Sequence, residues 1–176
     1  MSRMSKMSKE PLLGAAQFVM ILIGGVVTFA LVMVTIGAFA AVTVDQGSVA
    51  AKIAAAGLPP AALWGVFAGM LAVVVMLFLA LRFLYELWQI VGTVDQGDPF
   101  TPANAARLSR MGWLMVAVYA IRLPLAVIAK KLGATSGETY LSGDVWGAAL
   151  LILTLFILAR VFRRGTGMRT DLEGTV

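Results

Sequence analysis

The chain has 176 residues, 60% hydrophobic and 13% charged, with a formal net charge of +5 and a mean hydropathy of +0.92. Soluble domains carry about 25% charged residues, and here the apolar residues fall in blocks long enough to cross a bilayer, so the composition is that of an integral membrane protein. The absence of Cys and His excludes a disulfide framework, a thiolate zinc site, a histidine-ligated haem, and catalysis through a Cys–His or Ser–His pair.

The first segment is basic, with Arg3, Lys6 and Lys9, and leads through Pro11 into an apolar run from Leu12 to Val44. Signal-peptide cores span about 7–15 residues, so the run is expected to be an uncleaved first transmembrane helix over about 12–44. Pro11 suits its first turn, where a missing N–H costs nothing. Gln17, Gly24, Thr28 and Thr35 share one face and read as a close-packing stripe or, alternatively, as a polar path through the bilayer.

Asp45–Gly57 reads as a short break, after which Pro59 and Pro60 open a second helix over about 60–91. At 1.5 Å per residue that helix is roughly 45 Å long, more than a hydrocarbon core needs. Its uncharged part ends at Leu81; Arg82 and Glu86 follow on one face, with Tyr85 and Trp88 as headgroup-level aromatics. Gly65 and Gly69 form a G-x-x-x-G pattern, usable within one chain or in a homo-oligomer.

The longest polar break is Asp95–Asn104. Gly97 suits a helix stop, Pro99 prevents continuation, and Thr101 with Pro102 suits the cap and first turn of a third helix over about 103–131. Asn104 stands where a capping box has Glu or Gln. Arg107 and Arg110 follow on the polar side. Arg122 lies deep in this helix, two residues before Pro124. An intramembrane arginine must face the interior or water, and two readings stand side by side: a structural ion pair with Glu86, or an anion or lipid site formed by Arg122, Glu86 and Arg82. The fourth helix is expected over about 144–164, capped by Ser142 or Asp144 and followed by a short tail, 165–176. The segment Thr43–Gly47 repeats as Thr93–Gly97 and reads as shared helix-end chemistry.

Four spans place both termini and the central break on one side, with Arg3, Lys6, Lys9, Arg107, Arg110, Arg160, Arg163, Arg164 and Arg169; the other side has Lys52, Lys130 and Lys131. The expected architecture is therefore all-α and polytopic: one four-helix transmembrane domain with both termini cytoplasmic.

Gly97-Asp98-Pro99-Phe100-Thr101 with Asn104, Arg107 and Leu108, and Val161-Phe162 with Gly165, Met168 and Asp171–Val176, resemble domain-of-unknown-function family 2975, small bacterial four-helix membrane proteins. Met168 departs from the leucine expected there. The resemblance implies a membrane partner for a small helix-turn-helix DNA-binding regulator and supplies no catalytic residue. The first functional expectation is thus a non-enzymatic regulator or receptor. It would use Asp98, Phe100, Asn104, Arg107, Asp171 and Glu173 to bind a soluble partner, with no cofactor, no metal and no direct nucleic-acid binding. The alternative is a small transporter or channel subunit with its site at Arg122. A membrane enzyme is disfavoured because the carboxylates are scattered at helix ends.

Overall fold

The computed structural model describes residues 11–95, 97, 99–131 and 145–173, with side chains over 14–94, 97, 99–130 and 145–167. The described chain is all-α: α1 Pro11–Thr43, α2 Gln46–Ala55, α3 Ala62–Asp95, α4 Pro102–Lys131 and α5 Val145–Glu173. Four of these are long and apolar enough to cross a membrane: Gly14–Thr43, Ala62–Val94, Pro102–Lys130 and Val145–Gly167.

The departures from the expected boundaries have local causes. Asp45–Gly57 is not a simple break, because α2 fills most of it. Val49 and Ile53, four apart, turn inward, and Ile53 is buried. Gly57 at φ +69° ends α2: its N–H donates to the Ala54 carbonyl, and the Leu58 N–H to that of Ile53. This is a Schellman stop. The first copy of the repeated pentapeptide therefore starts a helix at Gln46, whereas the second ends one, with Gly97 at φ +79° and its N–H on the Val94 carbonyl. Pro59 and Pro60 lie just before α3, in a tight turn closed by Ala62, Leu63 and Trp64 N–H bonds three residues back. Helix α5 does not stop at residue 164. It runs to Glu173, past Gly165 and Gly167, each of which weakens a helix by about 1 kcal/mol relative to Ala. The Ser142 and Asp144 caps lie outside the described residues.

The chain divides into two compact units. The first contains Met1–Val26, Leu81–Val116 and Trp146–Val176. Its core is Leu108 and Met111 of α4 with Leu155 and Ala159 of α5, walled by Phe83, Leu87 and Ile90 of α3. Close approach of α4 and α5 depends on Gly112, where a Cβ would stand 3.0 Å from the Phe156 ring. Gly112→Ala gains helix propensity but must displace that ring, and overpacking costs about 1–3 kcal/mol. The expected net loss is about 1 kcal/mol, read from thermal unfolding in detergent, with recovery in Gly112→Ala/Phe156→Leu.

The second unit contains Val27–Ala80 and Ala117–Val145. It buries mostly small residues, Ala41, Ala62 and Ala126, together with Ile53. Gly69 faces α4: a Cβ there would stand 3.5 Å from Leu125 Cδ1, an ordinary van der Waals contact that does not itself require glycine. No more than 17% of any spanning window is buried, and none of that of α1. Such sides are stable only in hydrocarbon, where apolar exposure costs nothing. On the α1 stripe, a Cβ at Gly24 would meet nothing within 4 Å. Thr35 donates its hydroxyl to its own helix at the Leu31 carbonyl, 2.7 Å away.

Candidate functional site

The first unit holds both groups of polar residues that the sequence singles out around the central break. Helices α3 and α4 run antiparallel there, and their pairing follows one register: Thr93 meets Asn104 and Glu86 meets Arg110, sums of 197 and 196. The two helices form the arms of a hairpin whose turn precedes α4.

The turn is held by Asn104, whose side chain is fully buried. Thr101 caps α4 as expected, its Oγ1 accepting the Asn104 N–H at 3.2 Å. The Asn104 side chain does not complete a capping box. Its Nδ2 donates to Thr93 Oγ1 at 2.6 Å and to the Pro99 carbonyl at 2.9 Å, and its Oδ1 accepts from Arg107 Nη1 at 2.8 Å. Thr93 passes its own proton to the Ile90 carbonyl at 2.7 Å. Both amide donors and the carbonyl are thus used, which satisfies a side chain that would be costly to bury otherwise. Sequence reasoning pointed to Asn104 but assigned it the wrong bond, and missed Thr93.

Phe100, next to the cap, lies on Phe162 of α5 with centroids 5.0 Å apart, and against Gly165, where a Cβ would approach its ring to 3.1 Å. Phe100 remains 46% exposed, so it is clamped on one side and open on the other. Arg163 and Arg164, between Phe162 and Gly165 in sequence, are exposed on other faces of α5. Asp98 lies outside the described residues, as do the side chains of Asp171 and Glu173.

Seven residues further from the turn, α3 carries Glu86, only 2% exposed. Its Oε1 accepts a hydrogen bond from Arg110 Nη1 at 3.0 Å across the hairpin and forms an ion pair with Arg82 Nη2 at 3.4 Å, one turn back on its own helix. The guanidinium of Arg82 also lies 5.2 Å over the Tyr85 ring. Arg82, Glu86 and Arg110 line a pocket of about 240 Å³ with Trp113 and Leu114. Of the two readings for Arg122, the ion pair with Glu86 is corrected: Glu86 pairs with Arg110 and Arg82. Arg122 belongs to the second unit and lies 5.4 Å over the ring of Tyr119, three residues back on its own helix. The register set by Thr93 and Asn104 pairs position 86 with about 111, one residue from Arg110.

A family described as "Protein of unknown function (DUF2975)" matches residues 48–176. The chain belongs to this family. No curated protein and no solved structure matches it. The DUF2975 match begins inside α2 and takes in the hairpin turn, the Glu86 pocket and α5.

Proposed function

We propose that this DUF2975 protein is a non-enzymatic regulator or receptor of the bacterial inner membrane, whose α3–α4 turn and C-terminal part of α5 together bind a soluble partner. The observation that carries this reading is the Phe100–Phe162–Gly165 contact. It joins the turn to the C-terminal part of α5, with a half-exposed aromatic at its centre. Aromatic side chains are among the usual anchors of protein interfaces. The excess of Lys and Arg on the side of the central turn supports a cytoplasmic orientation for it and for both termini. Family resemblance supports a small helix-turn-helix transcription regulator as the partner, and the lack of Cys and His supports a non-catalytic role. The competing transporter reading rests on Arg122, whose contact with Tyr119 is one that a helix arginine makes without any ligand.

The test is co-purification of the detergent-solubilised chain with a small helix-turn-helix regulator encoded beside it. Retention should fall by about tenfold or more in Phe100→Asp, the scale of an interface anchor, and further when 168–176 is removed and Asp98 replaced. Undiminished binding in that combined variant would remove these surfaces from the proposal. A C-terminal reporter active only outside the cytoplasm should stay silent; activity would overturn the orientation.

A further inference from the structure

The Glu86 pocket is not explained by packing alone. Two guanidinium groups converge on one oxygen of one carboxylate, so the cluster has a net charge of +1: two arginines less one glutamate. Each guanidinium carries five N–H donors in a fixed fork. One nitrogen of each is turned to Glu86, while the side chains of Arg82 and Arg110 remain 46% and 54% exposed. Donors therefore remain on both arginines for a second anion. Glu86 acts as the buried post that holds the two forks together, which lowers the ordering cost of binding.

The surroundings indicate what kind of anion fits. The uncharged stretch of α3 ends at Leu81, just before Arg82, and that of α4 begins at Met111, just after Arg110. The pocket thus lies where both helices pass from apolar to charged sequence. Tyr85, Trp88 and Trp113 are exposed at this level, as aromatics are at the headgroup layer. One wall, Trp113 and Leu114, is apolar, and the other is cationic. At about 240 Å³ the pocket is smaller than the roughly 300–1,000 Å³ sites that enclose whole small molecules.

The geometry points to a binding site for the phosphate diester of an anionic phospholipid, held by Arg82 and Arg110 over Glu86, with the lipid's glycerol and upper chain against Trp113 and Leu114. A phosphate diester matches the guanidinium fork. A zwitterionic lipid brings its own cation to a site that already has a positive excess. Free phosphate shares the diester's chemistry but leaves the apolar wall uncovered.

The full chain in detergent is titrated with phosphatidylglycerol, phosphatidylcholine or inorganic phosphate, and bound lipid is counted by native mass spectrometry. Phosphatidylglycerol should bind about tenfold or more tightly than phosphatidylcholine, the scale of one charge-assisted hydrogen bond. Arg82→Gln should weaken phosphatidylglycerol by about tenfold on the same scale. Glu86→Gln keeps an acceptor for Arg110 and raises the site's charge to +2, so it should strengthen binding. That opposite sign is one that mere destabilisation cannot produce. Equal binding of the two lipids, weaker binding in Glu86→Gln, or no change in Arg82→Gln would overturn the site. Millimolar inorganic phosphate that fully displaces phosphatidylglycerol would overturn the lipid assignment.

Discussion

Replacing Asn104 with alanine should lower the unfolding free energy of the solubilised protein by about 3 kcal/mol, since each polar group left buried without a partner costs about 1–3 kcal/mol. The substitution removes two donors and an acceptor from a fully buried position. The Pro99 carbonyl loses its side-chain donor, Arg107 loses an anchor, and Thr93 Oγ1 keeps only its bond to Ile90. Thr93→Val removes one link of the same chain and should cost about 1 kcal/mol, the usual net value of a hydrogen bond. Because the two side chains share that bond, the double variant should lose less than the sum of the single ones. Thermal unfolding of the four proteins in one detergent gives the cycle. Strict additivity would mean that the 2.6 Å contact contributes nothing. Alanine at 104 also loosens the turn that presents Phe100, so partner binding should fall with stability in this variant, whereas Phe100→Asp should lose binding while the turn remains.

The four spans were legible because a bilayer imposes a length and a composition that no local detail can hide. Gly97, Thr101 and Pro102 were legible for a different reason: helix stops and starts are chemistry within a few residues, and Thr101 makes the cap bond its position predicts. Helix α2 was missed because Gly47 and Ser48 resemble a loop in isolation, and only the spacing of Val49 and Ile53 reveals a buried face. The length of α5 was missed because Gly165 suggests a stop. In the folded chain that glycine is the place where Phe100 fits, so its lack of a Cβ serves packing between segments 65 residues apart by subtraction, 165 − 100. The Glu86 partner was missed because Arg122 was matched to the one carboxylate within a predicted long helix, although the two differ in depth. The register of the hairpin decides the pairing, and it selects Arg110.

The Glu86 cluster should respond unequally to the loss of its two arginines. Arg110 bonds Glu86 from another helix at 3.0 Å, while Arg82 lies one turn away on the same helix at 3.4 Å. Arg110→Met therefore removes both a charge and a tie between α3 and α4. It leaves a carboxylate that is 2% exposed with one longer contact. Breaking a buried pair in this way costs about 3–5 kcal/mol; because both guanidinium groups are about half exposed, screening by water and headgroups reduces the expected loss to about 2 kcal/mol. Arg82→Met should cost no more than about 0.5 kcal/mol, the scale of an i,i+4 pair. Glu86→Met alone brings two like charges together without their post and should cost about 2 kcal/mol, again after the discount for exposure. The double variant Glu86→Met/Arg110→Met removes the buried charge along with the partner that needed it. It should return to within about 1 kcal/mol of the parent, as apolar replacements of buried pairs often do. Unfolding followed by tryptophan fluorescence separates these four variants. Equal losses for the two arginine substitutions would show that the cross-helix bond has no special weight. A double variant as unstable as Glu86→Met would show that the carboxylate holds the hairpin through contacts other than Arg110.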